Sequence, residues 1–263
     1  FHVVRTEYNI QTQKNICEEG YRIVLLSDLH YGVSMNDNNL QDVVNRISAE
    51  QADIVVLDGD IVDENTTSEQ MQSAFRILGQ ADSTYGVYYV YGNHDKSRYA
   101  INPNYTEEEL KEAISECRIK ILEDDIYEIN NELCIIGRKD RSDSEERKSA
   151  QDLVSEFNKD YYTIIVDHQP CEINENSENG YDLMVSGHTH FGQIWPLGHL
   201  MNLFKINEMN YGYERVGNMD IIVSSGMGGW GYPIRTEKKC EYLIINIVKE
   251  INFGKRRSRL KIT

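Results

Sequence analysis

The sequence has few cysteines, little positive charge and no long apolar run. Its five cysteines are dispersed without a Cys-x-x-Cys spacing, which argues against a disulfide framework and against a zinc knuckle. Lysine and arginine number 27 against 43 aspartate and glutamate residues, so the formal net charge is -16. Because such a surface repels nucleic-acid phosphates, we expect no binding of DNA or RNA. No stretch reaches the length of a membrane span.

The length and composition are those of a globular protein. Hydrophobic residues make up 40% and charged residues 27% of the 263 positions, which is enough for a large core. We therefore expect a single domain over residues 1–263. The chain begins at Phe1 and not at Met, so we expect that a native N-terminal segment precedes it and that an anchor is not excluded.

Two kinds of apolar pattern alternate along the chain and predict an α/β fold. Four segments repeat apolar residues at i, i+3, i+4 and i+7, which predicts helices with one buried face. These segments begin at Leu40, Met71, Leu110 and Ala150. Short continuous apolar runs predict strands buried on both faces. The runs are 23–26, 54–57, 87–91, 133–136, 164–166, 183–185, 221–223 and 242–248. Thr106-x-x-Glu109 is a capping box, and 172–180 is predicted to be a polar loop.

Polar side chains follow five of these strands, one to five residues beyond the apolar run. In chain order they are Asp28 and His30, Asp60, Asn93 with His94 and Asp95, His168, and His188 with His190. Because ligand sites of open α/β sheets form at the carboxyl ends of strands, we expect these side chains to converge. Five of the seven histidines belong to these groups, and we expect the other two, His2 and His199, to lie on the surface.

These residue types are typical ligands of divalent first-row metal ions. Seven candidates exceed one tetrahedral site and fit two ions that share a carboxylate. The candidates are Asp28, His30, Asp60, Asn93, His168, His188 and His190. Each carboxylate or amide alone could be an ordinary turn residue. Turns, however, predict no fixed order of Asp, Asn and His at successive strand ends.

The order of these motifs resembles the calcineurin-like metallophosphoesterase superfamily. The motifs are Asp28-x-His30, Gly59-Asp60-x-x-Asp63, Gly92-Asn93-His94-Asp95, His168 and Gly187-His188-x-His190. Segments 190–193 and 223–235 resemble one bacterial branch, whose members are commonly tethered to the membrane by an N-terminal segment. The resemblance covers about residues 21–248. It implies a four-layer sandwich in which two mixed β-sheets pack face to face and are flanked by helices.

The resemblance also implies a dinuclear metal centre, with Mn²⁺ as the expected metal and Fe or Zn²⁺ as alternatives. It divides the ligands into Asp28, His30 and His190 for one ion, Asn93, His168 and His188 for the other, and Asp60 as the bridge. Two divalent ions outweigh the charge of the two carboxylate ligands. A chain with a net charge of -16 could therefore still attract a phosphate ester at this site.

The implied activity is metal-dependent hydrolysis of phosphate esters. His94 would protonate the leaving oxygen, Asp95 would orient His94, and Asp63 would support the ligands from outside. Some members of the branch act on cell-envelope phosphodiesters or on a nucleotide-linked lipid precursor, so we expect a substrate of that kind. The alternatives are a general phosphomonoesterase and a non-catalytic metal-binding or scaffold protein. The intact His94-Asp95 pair and the complete ligand set argue against a loss of catalysis.

Two further regions could contact the substrate. Arg138 follows a predicted strand and could clamp a phosphate, although an exposed charge is an equal alternative. Segment 191–209 is rich in large apolar residues without a clear period. It is either a flap packed on the core or an apolar groove for a lipid or a membrane. In the second case Trp195, Leu200 and Phe204 would line the approach to the metals.

Membrane association is the expected localisation, through an N-terminal segment missing from this chain. The side of the membrane is left open, and without such a segment we expect a cytoplasmic protein. Four basic residues in 254–259 would favour an anionic bilayer, although the simpler interpretation is a solvated end. The sequence does not determine the oligomeric state.

Overall fold

Two six-stranded sheets form the centre of the structure. The computed structural model describes residues 2–143 and 146–250, so the basic tail 254–259 lies outside the described residues. The strands are β1 (Val3–Thr12), β2 (Tyr21–Leu26), β3 (Ile54–Asp58), β4 (Val87–Val90), β5 (Ile119–Ile121), β6 (Asp125–Ile129), β7 (Leu133–Gly137), β8 (Tyr162–Val166), β9 (Leu183–Ser186), β10 (Gly212–Val216), β11 (Met219–Val223) and β12 (Cys240–Lys249). The helices are α1 (Asp37–Ala49), α2 (Ser68–Leu78), α3 (Glu107–Glu116), α4 (Ala150–Val154), α5 (Ile173–Glu178) and α6 (Leu197–Phe204).

Both sheets are mixed and pack face to face. Their strand orders are β1-β12-β2-β3-β4-β5 and β10-β11-β9-β8-β7-β6. β2, β3 and β4 run parallel, as do β7, β8 and β9, whereas β12 is antiparallel to β2. Inner-face residues of the two sheets, such as Leu25, Val56 and Ile164, share one buried cluster. The parallel strands therefore bring their carboxyl ends to the same edge of the sandwich.

Helices cover the outer faces. Leu40 of α1, Phe75 of α2 and Leu110 of α3 pack in a second cluster on the first sheet. Leu153 of α4 and Ile173 of α5 pack in a third cluster on the second sheet. The four layers confirm the predicted fold class, whereas the single domain over residues 1–263 stays a prediction.

The predicted helices and strands are present, and the structure adds six elements. The sequence missed α5, α6 and the strands β1, β5, β6 and β10. Segment 172–180 is not a polar loop, because α5 buries Ile173 and Asn176 within it. Segment 191–209 contains α6, in which Leu197, Leu200, Met201 and Phe204 do recur at i, i+3, i+4 and i+7, so the prediction of no clear period was wrong there. Within 2–143 and 146–250, no helix is both long and apolar enough to cross a membrane.

Candidate functional site

The predicted ligands lie together at the strand ends. Two sets have ligand atoms within 4.8 Å of one another: Asp28, His30 and His190, and Asp60, His168 and His188. The two sets draw residues from both sheets, since β2 and β3 belong to the first sheet and β8 and β9 to the second. Outside the sets, His2 and His199 are exposed, as expected. The sequence thus identified six side chains that the fold places in two adjacent clusters.

The backbone at the ligands is held in an unusual conformation. Asp28, His30, Asp60, His188 and His190 all have positive φ, between 44° and 70°. Non-glycine residues adopt this left-handed region rarely, and it persists only where surrounding contacts enforce it. Here the N–H of Asp28 donates to the Gly59 carbonyl at 3.0 Å, and the N–H of His188 donates to the Asp28 carboxylate at 2.9 Å. The strand ends therefore fix one another and aim the side chains into the site.

His168 shows that the second cluster suits a metal ion. Its Nδ1 lies 2.7 Å from the carbonyl oxygen of Asp58, which can only accept, so Nδ1 carries the proton. Nε2 faces Asp60 Oδ2 at 3.0 Å, so that a proton or a metal ion would lie between these two atoms. Burial lowers the pKa of His168, but the charges of Asp60, Asp28 and Asp58 and the hydrogen bond to Asp60 together raise the pKa well above its ordinary value. A cation between these two atoms would satisfy both.

The first cluster also suits a metal ion. His30 Nε2 and His190 Nε2 lie 3.0 Å apart, and His190 Nε2 lies 3.3 Å from Asp28 Oδ1. Burial lowers the pKa of His190 to about 3, so its imidazole is neutral at pH 7, the form that binds metal ions. Asp63 Oδ2 lies 3.3 Å from His30 Nδ1 and so leaves Nε2 for a ligand. Asp63 is therefore positioned to support a ligand from outside.

Asp60 lies between the two clusters, and Asn93 lies beside the second cluster. Asp60 Oδ2 is 3.0 Å from His168 Nε2 and 3.7 Å from His30 Nε2, so the carboxylate stands between the two clusters. Asn93 Oδ1 lies 2.8 Å from His188 Nδ1 and belongs to the second cluster. The donor set of imidazole, carboxylate and amide fits two divalent ions that share Asp60.

His94 lies beside the clusters, but its partner is not the predicted one. The His94 Nδ1 atom lies 3.0 Å from both carboxylate oxygens of Glu64. Asp95 instead accepts the backbone N–H groups of Gly92 and Asp60 at 2.7 and 2.8 Å. The predicted role of Asp95 is thus corrected: it ties the loops after β3 and β4 together, and Glu64 orients His94. Burial lowers the pKa of His94, but the hydrogen bond to Glu64 and the charges of Asp60, Glu64 and Asp63 together outweigh burial, so the pKa is raised.

Arg138 is not available for a phosphate. Its side chain is fully buried, its guanidinium lies 3.2 Å from the Glu172 carboxylate, and it donates to the Lys148 carbonyl at 2.9 Å. These partners precede α5 and α4, so Arg138 joins the end of β7 to the outer helices. Neither the predicted phosphate clamp nor the exposed charge fits this position.

A cleft of about 410 Å³ opens beside the ligands. The polar residues of its lining include Asp60, His94, His188 and His190, and the apolar ones are Ile194, Leu197, Met201, Trp230 and Tyr232. The Trp230 ring lies 5.7 Å from the His94 ring, between centroids. Of the residues predicted to line the approach, Trp195 is 65% exposed and lies outside the lining, as do Leu200 and Phe204. The apolar lining thus comes from their neighbours and from the loop after β11, which the sequence did not single out as lining.

A family model described as calcineurin-like phosphoesterase matches residues 21–192. The chain belongs to the calcineurin-like phosphoesterase family. An uncharacterized metallophosphoesterase of Helicobacter pylori strain J99 is 32% identical over 218 residues, which are 81% of this chain and 56% of that protein. A Danio rerio transmembrane protein with metallophosphoesterase domain is 31% identical over 241 residues, 87% of this chain and 53% of that protein. The chain thus spans little more than half the length of these two relatives.

Other relatives show the extent of the shared domain and its fold. An uncharacterized metallophosphoesterase of Aquifex aeolicus is 30% identical over 247 residues, 92% of this chain and 90% of that protein. A solved dimetal phosphatase from Danio rerio superposes with a TM-score of 0.54 at 13% identity, over 79% of this chain and 88% of that one. At such low identity, the superposition establishes the common fold alone. Membership of the family itself implies metal-dependent hydrolysis of phosphate esters.

Proposed function

We propose that this chain hydrolyses phosphate esters with two divalent metal ions. The observation that carries the proposal is the pair of ligand clusters with Asp60 between them. One ion would be held by Asp28, His30 and His190, and the other by Asn93, His168 and His188. Bound ions would polarise the phosphoryl group, orient the ester and activate water. We propose Mn²⁺ as the native metal, with Fe or Zn²⁺ as alternatives that the donor set also accepts.

The protein contributes a proton at the leaving group. His94 lines the cleft, and its Nδ1 is held by Glu64, so Nε2 is the atom left to face an ester. The backbone N–H of His94 donates to Asp60 Oδ1 at 2.8 Å, which fixes the imidazole relative to the bridging ligand. Because Glu64 favours the protonated imidazole, His94 is suited to be the general acid.

The preferred substrate is proposed to be a phosphodiester with an apolar part, such as a phospholipid or nucleotide-linked lipid of the cell envelope. Support comes from the apolar residues Ile194, Leu197 and Met201, which line the same cleft as the ligands. An acyl group on these residues would leave the phosphate at the ions. A small phosphomonoester would contact only the polar residues of the cleft.

We also propose that the domain works at a membrane, held there by a segment N-terminal to this chain. The Danio rerio relative is named as a transmembrane protein, and this chain matches 53% of it. The proposal leaves the side of the membrane open.

A metal-replacement assay tests the function. The purified chain should lose turnover of bis(p-nitrophenyl) phosphate after chelation and regain it with Mn²⁺. His168→Ala should bind fewer ions by elemental analysis, whereas His199→Ala, at an exposed histidine outside the clusters, should bind as many as the unaltered chain. Full activity of rigorously metal-free protein would refute the mechanism. An acylated and a non-acylated phosphodiester, assayed side by side, test the substrate preference.

A further inference from the structure

The cleft has two exposed apolar rims. The first lip is residues 194–206, which include α6, and the second lip is residues 230–234 in the loop between β11 and β12. Leu203 is 72% exposed on the first lip, and Tyr232 is 70% exposed on the second. Ten of the thirteen exposed large hydrophobic side chains among residues 2–143 and 146–250 lie on these two lips. Exposed apolar surface concentrated in this way marks an interaction site.

Hydrogen bonds join the two lips into one platform. Gln193 donates to the Trp230 carbonyl at 2.8 Å and accepts the Trp230 N–H at 3.0 Å. The backbone N–H of Trp195 donates to the Thr236 hydroxyl at 2.7 Å. Segments that are more than thirty residues apart in sequence are therefore held side by side, and a single surface can cover both.

The lips differ in charge from the rest of the chain. None of the 43 acidic residues falls in 191–207 or in 224–236, although the chain has a net charge of -16. These two segments contribute Lys205 and Arg235 instead. Both tryptophans of the chain, Trp195 and Trp230, are exposed there. Amphipathic aromatic rings on an apolar surface free of acidic charge are typical of contact with the headgroup region of a bilayer.

We propose that the two lips dock on an anionic lipid bilayer, so that the cleft between them opens toward the membrane surface. The eight-residue helix α6 is too short to cross a bilayer and would lie in its interface. A second copy seated on both lips would cover the cleft and block the approach of an ester to the ligands that line it. A bilayer instead delivers lipid esters to the opening. The role of docking in catalysis rests on the proposed function. Binding of the chain to vesicles, however, can be measured without catalysis.

Vesicle binding of the full chain tests the proposal. The chain should cosediment with vesicles of phosphatidylcholine and phosphatidylglycerol, and less with phosphatidylcholine alone. Leu203→Glu should weaken that binding about tenfold, the worth of burying one leucine side chain. Ile101→Glu introduces the same charge at a residue that is 96% exposed outside the lips, and it should bind like the unaltered chain.

Tryptophan emission gives a second readout, because both tryptophans lie on the lips. It should shift to shorter wavelength with the mixed vesicles and stay unshifted without them. Absence of both cosedimentation and an emission shift overturns the docking. Concentration-dependent dimerisation that Leu203→Glu abolishes assigns the surface to a second copy and also overturns it.

The water-soluble diester separates the two proposals. Leu203→Glu should hydrolyse it as fast as the unaltered chain, because Leu203 does not line the cleft. Turnover without vesicle binding would refute the docking and leave the proposed function standing. Vesicle binding without turnover would refute the proposed function.

Discussion

The ligand clusters and the apolar lips face the same cleft but are built in opposite ways. Each ligand follows a strand, and Asp28, His30 and Asp60 are almost wholly buried with their backbones in the left-handed region. The lips are a short helix and a loop whose large side chains point into solvent. Metal chemistry needs atoms fixed to within a fraction of an ångström, whereas contact with an apolar surface needs exposure. Substitutions in the clusters should therefore stop the reaction, and substitutions in the lips should change what is accepted.

The sharpest contrast is expected at the shared carboxylate. Asp60→Asn should lower activity at least about 100-fold, because loss of an outer-shell contact alone typically costs 10–100-fold and Asp60 would serve both ions. Elemental analysis should show that the variant loses both metals. Asp82→Asn makes the same change at an exposed position and should alter neither quantity. Two tightly bound ions in Asp60→Asn would contradict the bridging role.

A smaller loss is expected when the acid is removed and the ligands are kept. His94→Ala should retain both ions and slow the hydrolysis of alkyl esters by about 10²–10⁴-fold, the usual range for general acid catalysis. Nitrophenyl esters should lose less, because nitrophenolate leaves without a proton. The measurement is kcat for the two ester classes on one enzyme preparation. Equal losses for both classes would show that His94 is not the acid.

Glu64 is expected to act through His94, with a still smaller effect. Glu64→Ala should keep both metals and lower kcat for alkyl esters about 10–100-fold, as other outer-shell partners do. In the His94→Ala background the same substitution should cost nothing further, because the two residues form one unit. Glu112→Ala, at an exposed glutamate on α3, is the control. Independent losses in the double variant would separate Glu64 from the acid.

Burial explains which elements could be predicted from the sequence. The continuous apolar runs predicted eight strands, all of them central in their sheets. The four strands that the sequence missed, β1, β5, β6 and β10, are the four sheet edges. An edge strand is covered on fewer sides, so β1 alternates between covered and exposed residues and β10 buries no residue fully. Without a continuous run, such strands resemble loops.

Side-chain direction explains the outcome for the site. His168 continues the alternation of Ile164 and Val166, which face the space between the sheets, and so points into the site. Arg138 continues the alternation of Ile136, which faces the outer helices. Because both runs are apolar on both faces, the sequence alone does not say which alternate residues face between the sheets. The contact of Glu64 with His94 depends on the path of two loops and left no signal in the spacing.

The smallest effect is expected on the stability of the protein when an exposed residue of the first lip is replaced. Trp195→Ala should change the free energy of unfolding by less than about 0.5 kcal/mol, because the side chain is 65% exposed. Phe191→Ala, four residues earlier, should cost about 3–5 kcal/mol, because Phe191 is buried and stacks on Tyr211 at 5.5 Å between ring centroids.

Although it folds normally, Trp195→Ala should lower kcat/KM for an acylated phosphodiester on vesicles by up to about tenfold, the value of one lost apolar contact. It should leave a water-soluble diester unaffected, since Trp195 lies outside the cleft lining. Thermal unfolding and the two kcat/KM values, measured on one preparation, decide the matter. A large fall in melting temperature with an unchanged substrate preference would mean that Trp195 packs on the core, and the distinction between fixed ligands and exposed lips would fail at that residue.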